Sequence, residues 1–540
     1  MTVAPACTAA KERPFRTQTA SRIITAAQAA ELVEDGTTVV CAGFVGAGHP
    51  EAVTAALEKR FLATGSPRGL TLMYAAGQGD RMHRGVNHFG NEGMTTRIIG
   101  SHWMAAPRLG ALVARNAVHA YNWPQGVIAH LYRATAGGKP GVITRVGLHT
   151  FVDPRIDGGR LTPDSPPIVQ LMKIGDDEHL FFPTLPVHVA LIRATTADEH
   201  GNLTTEHEPF HQDLLVNAQA AHNSGGIVIA QVKRIVPAGT LDPNLVRVPG
   251  ILVDHIVLTE DPADHWMTYA EEMNPAYTQA AMHAGPAPAA PAAPPPLDVR
   301  SIIQRRAVME LLPLKRPVVN LGAGMPAGIG IAARAEGLDN ITLTLEAGPI
   351  GGTPALGLSF GASAYPQAII DQAAMFDFYD GGGIDIAFLG MAQLDSRGNV
   401  NVSRFGGTLA GIGGFINISQ SARRVVLMGA FSGGGLRIKA QDGTLHIERE
   451  GDVPKLLEEV EHLSFNGAYA QRQGIQVTYV TERAVFELRD GRLTMTEIAP
   501  GLDPVRDVLA RCRAGIAVAD RLRLMPTEIF REGPMGLKAG

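Results

Sequence analysis

Cysteine is scarce: Cys7, Cys41 and Cys512 are three residues in 540, odd in number and far apart. They form neither a disulfide framework nor a metal cluster, and a reducing cytoplasm is the simpler setting. Aromatic residues are also few, at 6%, and charged residues make up 18% with a formal net charge of −5. Charge of neither sign dominates, so no basic field awaits a phosphate backbone, and no zinc-finger spacing or basic helix points to nucleic acid. No apolar run reaches the ~18 to 20 residues of a membrane-spanning helix, so no membrane partner is expected. Residues 1–20 carry Lys11, Arg13 and Arg16 among Ala and Thr without the apolar core of a secretion signal. A flexible tail is the expectation there, with an organelle transit peptide as the alternative.

Glycine, by contrast, is abundant at 61 residues, and 45% of the chain is hydrophobic. A chain of 540 residues exceeds what one core usually serves, so two domains are expected. Strand-like runs alternate with Ala-rich helical stretches, and glycine turns follow the strands. That pattern predicts an α/β fold of parallel sheets wrapped by helices, with ligands gathered at the carboxyl edge of a sheet.

The chain contains itself twice. Residues 283–298 form a Pro/Ala linker that cannot pack. Before it lies a domain over 21–282, and after it a domain over 299–525, followed by a tail over 526–540. The turns Gly46-Ala47-Gly48-His49-Pro50 and Gly322-Ala323-Gly324-Met325-Pro326 correspond, as do Val187–Ile192 and Ile384–Leu389. Asp198-x-x-Gly201-Asn202-Leu203 matches Asp395-x-x-Gly398-Asn399-Val400 at the same spacing. The two halves therefore read as one open α/β domain duplicated. An insertion at about 78–185 in the first half has no counterpart in the second, and it shapes either a pocket or an oligomer interface.

Glu346 is the position where the copies differ in chemistry. Ile341–Leu345 is β-branched and apolar, as a short buried strand would be, and Gly348 and Gly351-Gly352 follow at once. A carboxylate directly after such a strand needs an explanation, since Asp and Glu are almost never fully buried without a partner. In the gapless match of Leu70–Gly77 to Ile341–Gly348, Ala75 stands where Glu346 does. A carboxylate present in one copy alone suits a task done once per active site, although a drifting surface position would look the same. Gly411-Ile412-Gly413-Gly414-Phe415 is a second asymmetry, matched by Leu214–Ala218. Its glycines either admit a ligand close to the backbone or relieve a tight turn.

Together the Glu-x-Gly strand end, the Gly-x-Gly-Gly-Phe loop and the duplicated halves resemble family I CoA-transferases. Within that family the single-chain propionate or short-chain acyl-CoA:acetate type is the nearest likeness, through Ile99–Trp103, Ala120–Gly126 and Val146–Arg155. The resemblance covers about residues 20–525. It implies that Glu346 is the nucleophile, that the Gly413 and Gly414 amides hold the oxyanion, and that Gln125 reaches the reacting carboxylate from the first half. It also implies an acyl pocket near Gly46, Ala47 and Gly48. Met104 follows Trp103 where glycine is common in the subgroup, and Ala347 stands where many members carry serine. A carboxylate ionised at neutral pH attacks a thioester directly, because a thiolate of pKa roughly 8.5 leaves readily. The expected substrates are an acyl-CoA and a short-chain carboxylate. No metal or further cofactor is expected, coenzyme A being part of the substrate, and a homo-oligomer, dimer or tetramer, is the family expectation.

An acyl-CoA hydrolase on the same fold and a non-catalytic CoA-binding protein are the competing readings. Other motifs carry less. Gly43-x-x-Gly46-x-Gly48 lacks the spacing of a dinucleotide fingerprint. His200, His207 and His211 with Glu206 and Glu208 match an ordinary loop in the other half, and a solvated loop is the expectation rather than a metal site. Ser432–Gly435 reads as a flexible turn before a phosphate cradle.

Overall fold

The structure is a computed structural model that describes residues 22–280 and 297–537. The flexible tail expected at 1–20 and most of the Pro/Ala linker lie outside the described residues.

Each half is built on five parallel strands. In the first these are β1 (Thr38–Cys41), β2 (Leu70–Tyr74), β3 (Val189–Asp198), β4 (Ile227–Val236) and β5 (His255–Leu258), side by side in the order β2-β1-β3-β4-β5. The second half has β6 (Val318–Leu321), β7 (Thr342–Thr344), β8 (Ile386–Gly390), β9 (Arg424–Met428) and β10 (Gln476–Val480), in the order β7-β6-β8-β9-β10. The two orders are the same, strand for strand. Central β3 is buried at all 10 of its positions, and its opening Val189–Ile192 is apolar without alternation, as a parallel strand covered on both faces requires.

The repeated Asp-x-x-Gly-Asn motif folds identically in both copies. Asp198 Oδ1 accepts from the amides of His200 (3.0 Å) and Asn202 (2.9 Å) while Asn202 Nδ2 donates to Oδ2 (2.9 Å). Asp395 Oδ1 likewise accepts from Arg397 (2.9 Å) and Asn399 (3.1 Å), with Asn399 Nδ2 donating to Oδ2 at 3.0 Å.

Two boundaries differ from the sequence reading. The insertion at 78–185 is largely woven into the first domain: Thr95–Gly100 and His119–Asn122 extend the main sheet beyond β2. It also holds helix α1 (Gln125–Ala136), which packs on α2 (Leu214–Asn223) much as α3 (Gln372–Asp380) packs on α4 (Phe415–Ser421) in the second half. A counterpart to α1 therefore exists, hidden because the two helices match only at the opening glutamine and at Tyr132 and Tyr379. The stretch set apart as a tail at 526–540 is bound to the second domain as far as it is described: Ile529 and Phe530 are fully buried, and Arg305 donates to the carbonyls of Glu528 (2.6 Å) and Gly533 (2.8 Å).

The halves meet along α1 and α3 and through an apolar cluster of Phe44, Ala47 and Phe210 from one side with Leu345, Ala347 and Phe360 from the other. Phe44 meets Phe210 edge-on with centroids 5.8 Å apart, and burying such a ring contributes about 2 kcal/mol. Glu346 stands between two members of that cluster, so the nucleophile expected from sequence lies where the domains join.

Candidate active site

Strand β7 ends one residue sooner than the apolar run, because Leu345 turns its amide to the carbonyl of Pro349 at 3.0 Å. That turn sets Glu346 past the end of the sheet. Gly348 makes it possible: its φ is +121°, and a Cβ there would lie 2.0 Å from the carbonyl oxygen of Ile370. No other residue fits.

The Glu346 carboxylate rests against Gly414 of the glycine loop. A Cβ on Gly414 would lie 2.9 Å from Glu346 Cδ, 3.1 Å from Oε1 and 3.2 Å from Oε2. Among the described residues, no hydrogen bond or ion pair reaches this carboxylate. Burial, with no cation to offset it, pushes the acid up to about 7. The group expected to be fully ionised is thus about half protonated at neutral pH, and its anion is correspondingly more basic, hence more nucleophilic, than an ordinary carboxylate.

The first domain holds the loop in place from both sides of Gly413. The amide of Gly413 donates to the carbonyl of Ser101 at 2.9 Å, and its carbonyl accepts from the amide of Gln125 at 3.0 Å. Ile412 also donates to Ser101 O, at 2.7 Å, and the amides of Trp103 and Met104 donate to Ala410 O. This corrects one expectation. The Gly413 N–H is committed to Ser101, so it is not free to hold an oxyanion, whereas among the described residues no hydrogen bond takes the Gly414 N–H at the start of α4. The sequence could not reveal that division, since Ser101 is some 300 residues away in the other half.

Gln125 opens α1 and comes to the same loop: its Oε1 lies 3.8 Å from where a Gly413 Cβ would be, and its Nε2 donates to Gln372 Oε1 at 3.2 Å. His102, which the sequence reading noted only within the Ile99–Trp103 motif, packs over Gly413 as well. Its ring carbon Cδ2 is 4.0 Å from the same Cβ position, and burial, with Arg81 nearby, pushes the imidazole down to about 4, so it is neutral. Met104, 38% exposed, sits at the rim.

The Gly46-Ala47-Gly48 turn is used for packing. A Cβ on Gly46 would meet the carbonyl of Leu358 from the second domain at 2.3 Å, and one on Gly48 would meet the Gln212 amide nitrogen at 1.3 Å. Ala47 is buried in the cluster that contains Leu345 and Ala347. The acidic residues of the histidine loop are engaged in ion pairs, Glu206 with Arg234 at 2.5 Å and Glu208 with Arg193 at 2.6 Å.

The coenzyme A transferase family model matches residues 23–259. A caffeate CoA-transferase from Acetobacterium woodii is 42% identical over 525 residues, covering 96% of this chain and 99% of the relative. The acetate CoA-transferase YdiF from Escherichia coli K12 is 38% identical over 526 residues, covering 95% of this chain and 96% of its own. The crystal structure of the acyl-CoA transferase YdiF from E. coli O157:H7, as a thioester complex with CoA, superposes with a TM-score of 0.91 at 36% identity, over 97% of this chain and 99% of that one.

Proposed function

This chain belongs to the coenzyme A transferase family, and from that premise we propose that it transfers CoA between a short-chain acyl-CoA and a free carboxylate, acetate, propionate or a similar acid, with Glu346 as nucleophile. The observation that carries the reading is the Glu346 carboxylate, unpaired and closely apposed to the Gly414 backbone where the two domains meet. The names of the two full-length relatives support a carboxylic acid as the second substrate, one aromatic and one of two carbons.

A Glu346 carboxylate oxygen attacks the thioester carbonyl, the C–S bond breaks and CoA leaves as thiolate, giving an acyl-glutamyl anhydride. The thiolate then attacks the glutamyl carbonyl, the donor acid departs as carboxylate, and a glutamyl-CoA thioester remains. The acceptor carboxylate opens that thioester to form a second anhydride. Attack of the thiolate on its acyl carbonyl releases the new acyl-CoA and restores Glu346. One thioester replaces another and no proton is consumed, so the exchange requires no ATP. The barrier is formation of the anhydride. An oxyanion donor is worth about 3 kcal/mol in comparable acyl transfers, and the free Gly414 amide is the candidate donor.

The test is exchange. Given propionyl-CoA and isotopically labelled acetate, the enzyme is expected to form labelled acetyl-CoA with ping-pong kinetics. Release of free CoA at the same rate with and without acetate, and no labelled acetyl-CoA, would mean hydrolysis instead.

A further inference from the structure

A chain of buried polar groups leads away from the glycine loop that meets the Glu346 carboxylate. Gln125 and Gln372 open α1 and α3, the helices that take equivalent places in the two halves, and their side chains meet across the interface through Gln125 Nε2 and Gln372 Oε1 at 3.2 Å. Gln372 Nε2 in turn donates to Asp213 Oδ2 at 2.8 Å, and the Gln372 amide donates to Gln212 O at 3.1 Å. Gln125 is 2% exposed, Gln372 1% and Asp213 6%.

The direction of this chain is set at its far end. A glutamine amide has nearly the same shape with its oxygen and nitrogen exchanged, so only its partners fix which end points where. As an anion Asp213 can only accept, and as the neutral acid that burial favours, by pushing it up to about 8, it still accepts at Oδ2 with its proton on Oδ1, unpartnered among the described residues. It draws the Gln372 amide nitrogen, which turns Gln372 Oε1 toward Gln125. That oxygen draws the Gln125 nitrogen and leaves Gln125 Oε1 on the Gly413 side.

Asp213 has no other evident use. It immediately precedes α2, and the gapless match of the halves sets it opposite Ala410, beside the glycine loop of the second half. Its Oδ1 has no partner among the described residues, and neither has the side-chain amide of Asn217, one helical turn further on. A buried acid with a single side-chain hydrogen bond is costly, and fixing Gln372 accounts for it. The half with Ala75 thus supports the half that carries Glu346.

We propose, on the strength of the transferase reading above, that Asp213 is a positioning residue for the transfer reaction: through Gln372 it determines which end of the Gln125 amide faces the glycine loop at Gly413, the loop that meets Glu346 at Gly414.

Asp213→Asn keeps the shape but can donate, which allows both glutamine amides to reverse. Exchange between propionyl-CoA and acetate is measured in wild type, Asp213→Asn, Gln125→Ala and the double variant, with the thermal midpoint of each. The expected result is a loss of kcat of about tenfold for Asp213→Asn, the effect of one misdirected hydrogen bond, with KM for propionyl-CoA within about twofold. In the Gln125→Ala background the loss should shrink to less than about twofold, because the residue through which Asp213 acts is gone. Equal losses in both backgrounds, or full activity in Asp213→Asn, would overturn the inference. If Asp213→Asn does not fold, Gln372→Leu breaks the same chain, leaves the acid in place and is read in the same cycle. A wild-type chain without exchange activity would instead overturn the transferase reading, and this inference with it.

Discussion

Glu346 and Gly414 approach so closely that a single methyl group could not fit between them: a Cβ on Gly414 would lie 2.9 Å from Glu346 Cδ. Gly414 itself has φ −82°, which any residue adopts without strain. Gly414→Ala should therefore move the Glu346 carboxylate without disturbing the fold, lowering kcat by about 100-fold, the scale of losing one oxyanion contact, with the thermal midpoint within about 2 °C of wild type. Gly413→Ala is the control. At φ +53° it should lose about 1–2 kcal/mol of stability by denaturant titration, since an L side chain is strained there.

The acid of Glu346, raised to about 7 by burial, makes the activity pH-dependent. The anion is the proposed nucleophile, so falling pH should protonate it and remove activity. The expected profile of kcat/KM for acyl-CoA climbs with unit slope below pH 7 and levels above it. A flat profile from pH 5.5 to 8 would show that this acid does not report on the nucleophile.

Within the first domain, His88 bridges Glu51 (2.8 Å) and Glu58 (2.6 Å). Burial opposes its charge, but hydrogen bonds to the two carboxylates outweigh that and raise it from 6.5 to about 9, while they in turn bring Glu51 and Glu58 down to about 2. The raised histidine gives stability that is full below pH 6.5 and lost as pH climbs through 9. The depressed carboxylates give stability that is full above pH 4.5 and lost as pH falls through 2. His88→Gln should thus cost about 3 kcal/mol in denaturant titrations at pH 6 and clearly less at pH 10.

The C-terminal stretch carries its own test. Phe530 is fully buried against the second domain, so Phe530→Ala should cost about 3–5 kcal/mol by denaturant titration, whereas a loose tail would cost nothing.

What the sequence makes legible here is local or repeated. The duplication could be read because Asp198 and Asp395 each rebuild the same turn within four residues, and Glu346 because the missing carboxylate at Ala75 isolates it. Gly348 is legible for the same reason, a turn closed by its near neighbours. The commitment of the Gly413 amide to Ser101 was not legible, nor were the neutral His102 over the loop and the chain from Gln125 through Gln372 to Asp213. Each depends on a partner far along the chain, and a hydrogen bond between distant segments leaves no spacing to detect. The kinship of α1 and α3 escaped notice because helices tolerate almost any sequence that keeps an apolar face.

Whether Glu346 carries CoA can be measured directly. The enzyme is incubated with acyl-CoA and no acceptor, digested, and the peptides weighed. The expected result is a CoA-sized mass on the peptide containing Glu346, removed by hydroxylamine and absent in Glu346→Ala. An unmodified Glu346 peptide under turnover conditions, or an Ala variant that still exchanges CoA, would contradict the assignment of Glu346 as nucleophile.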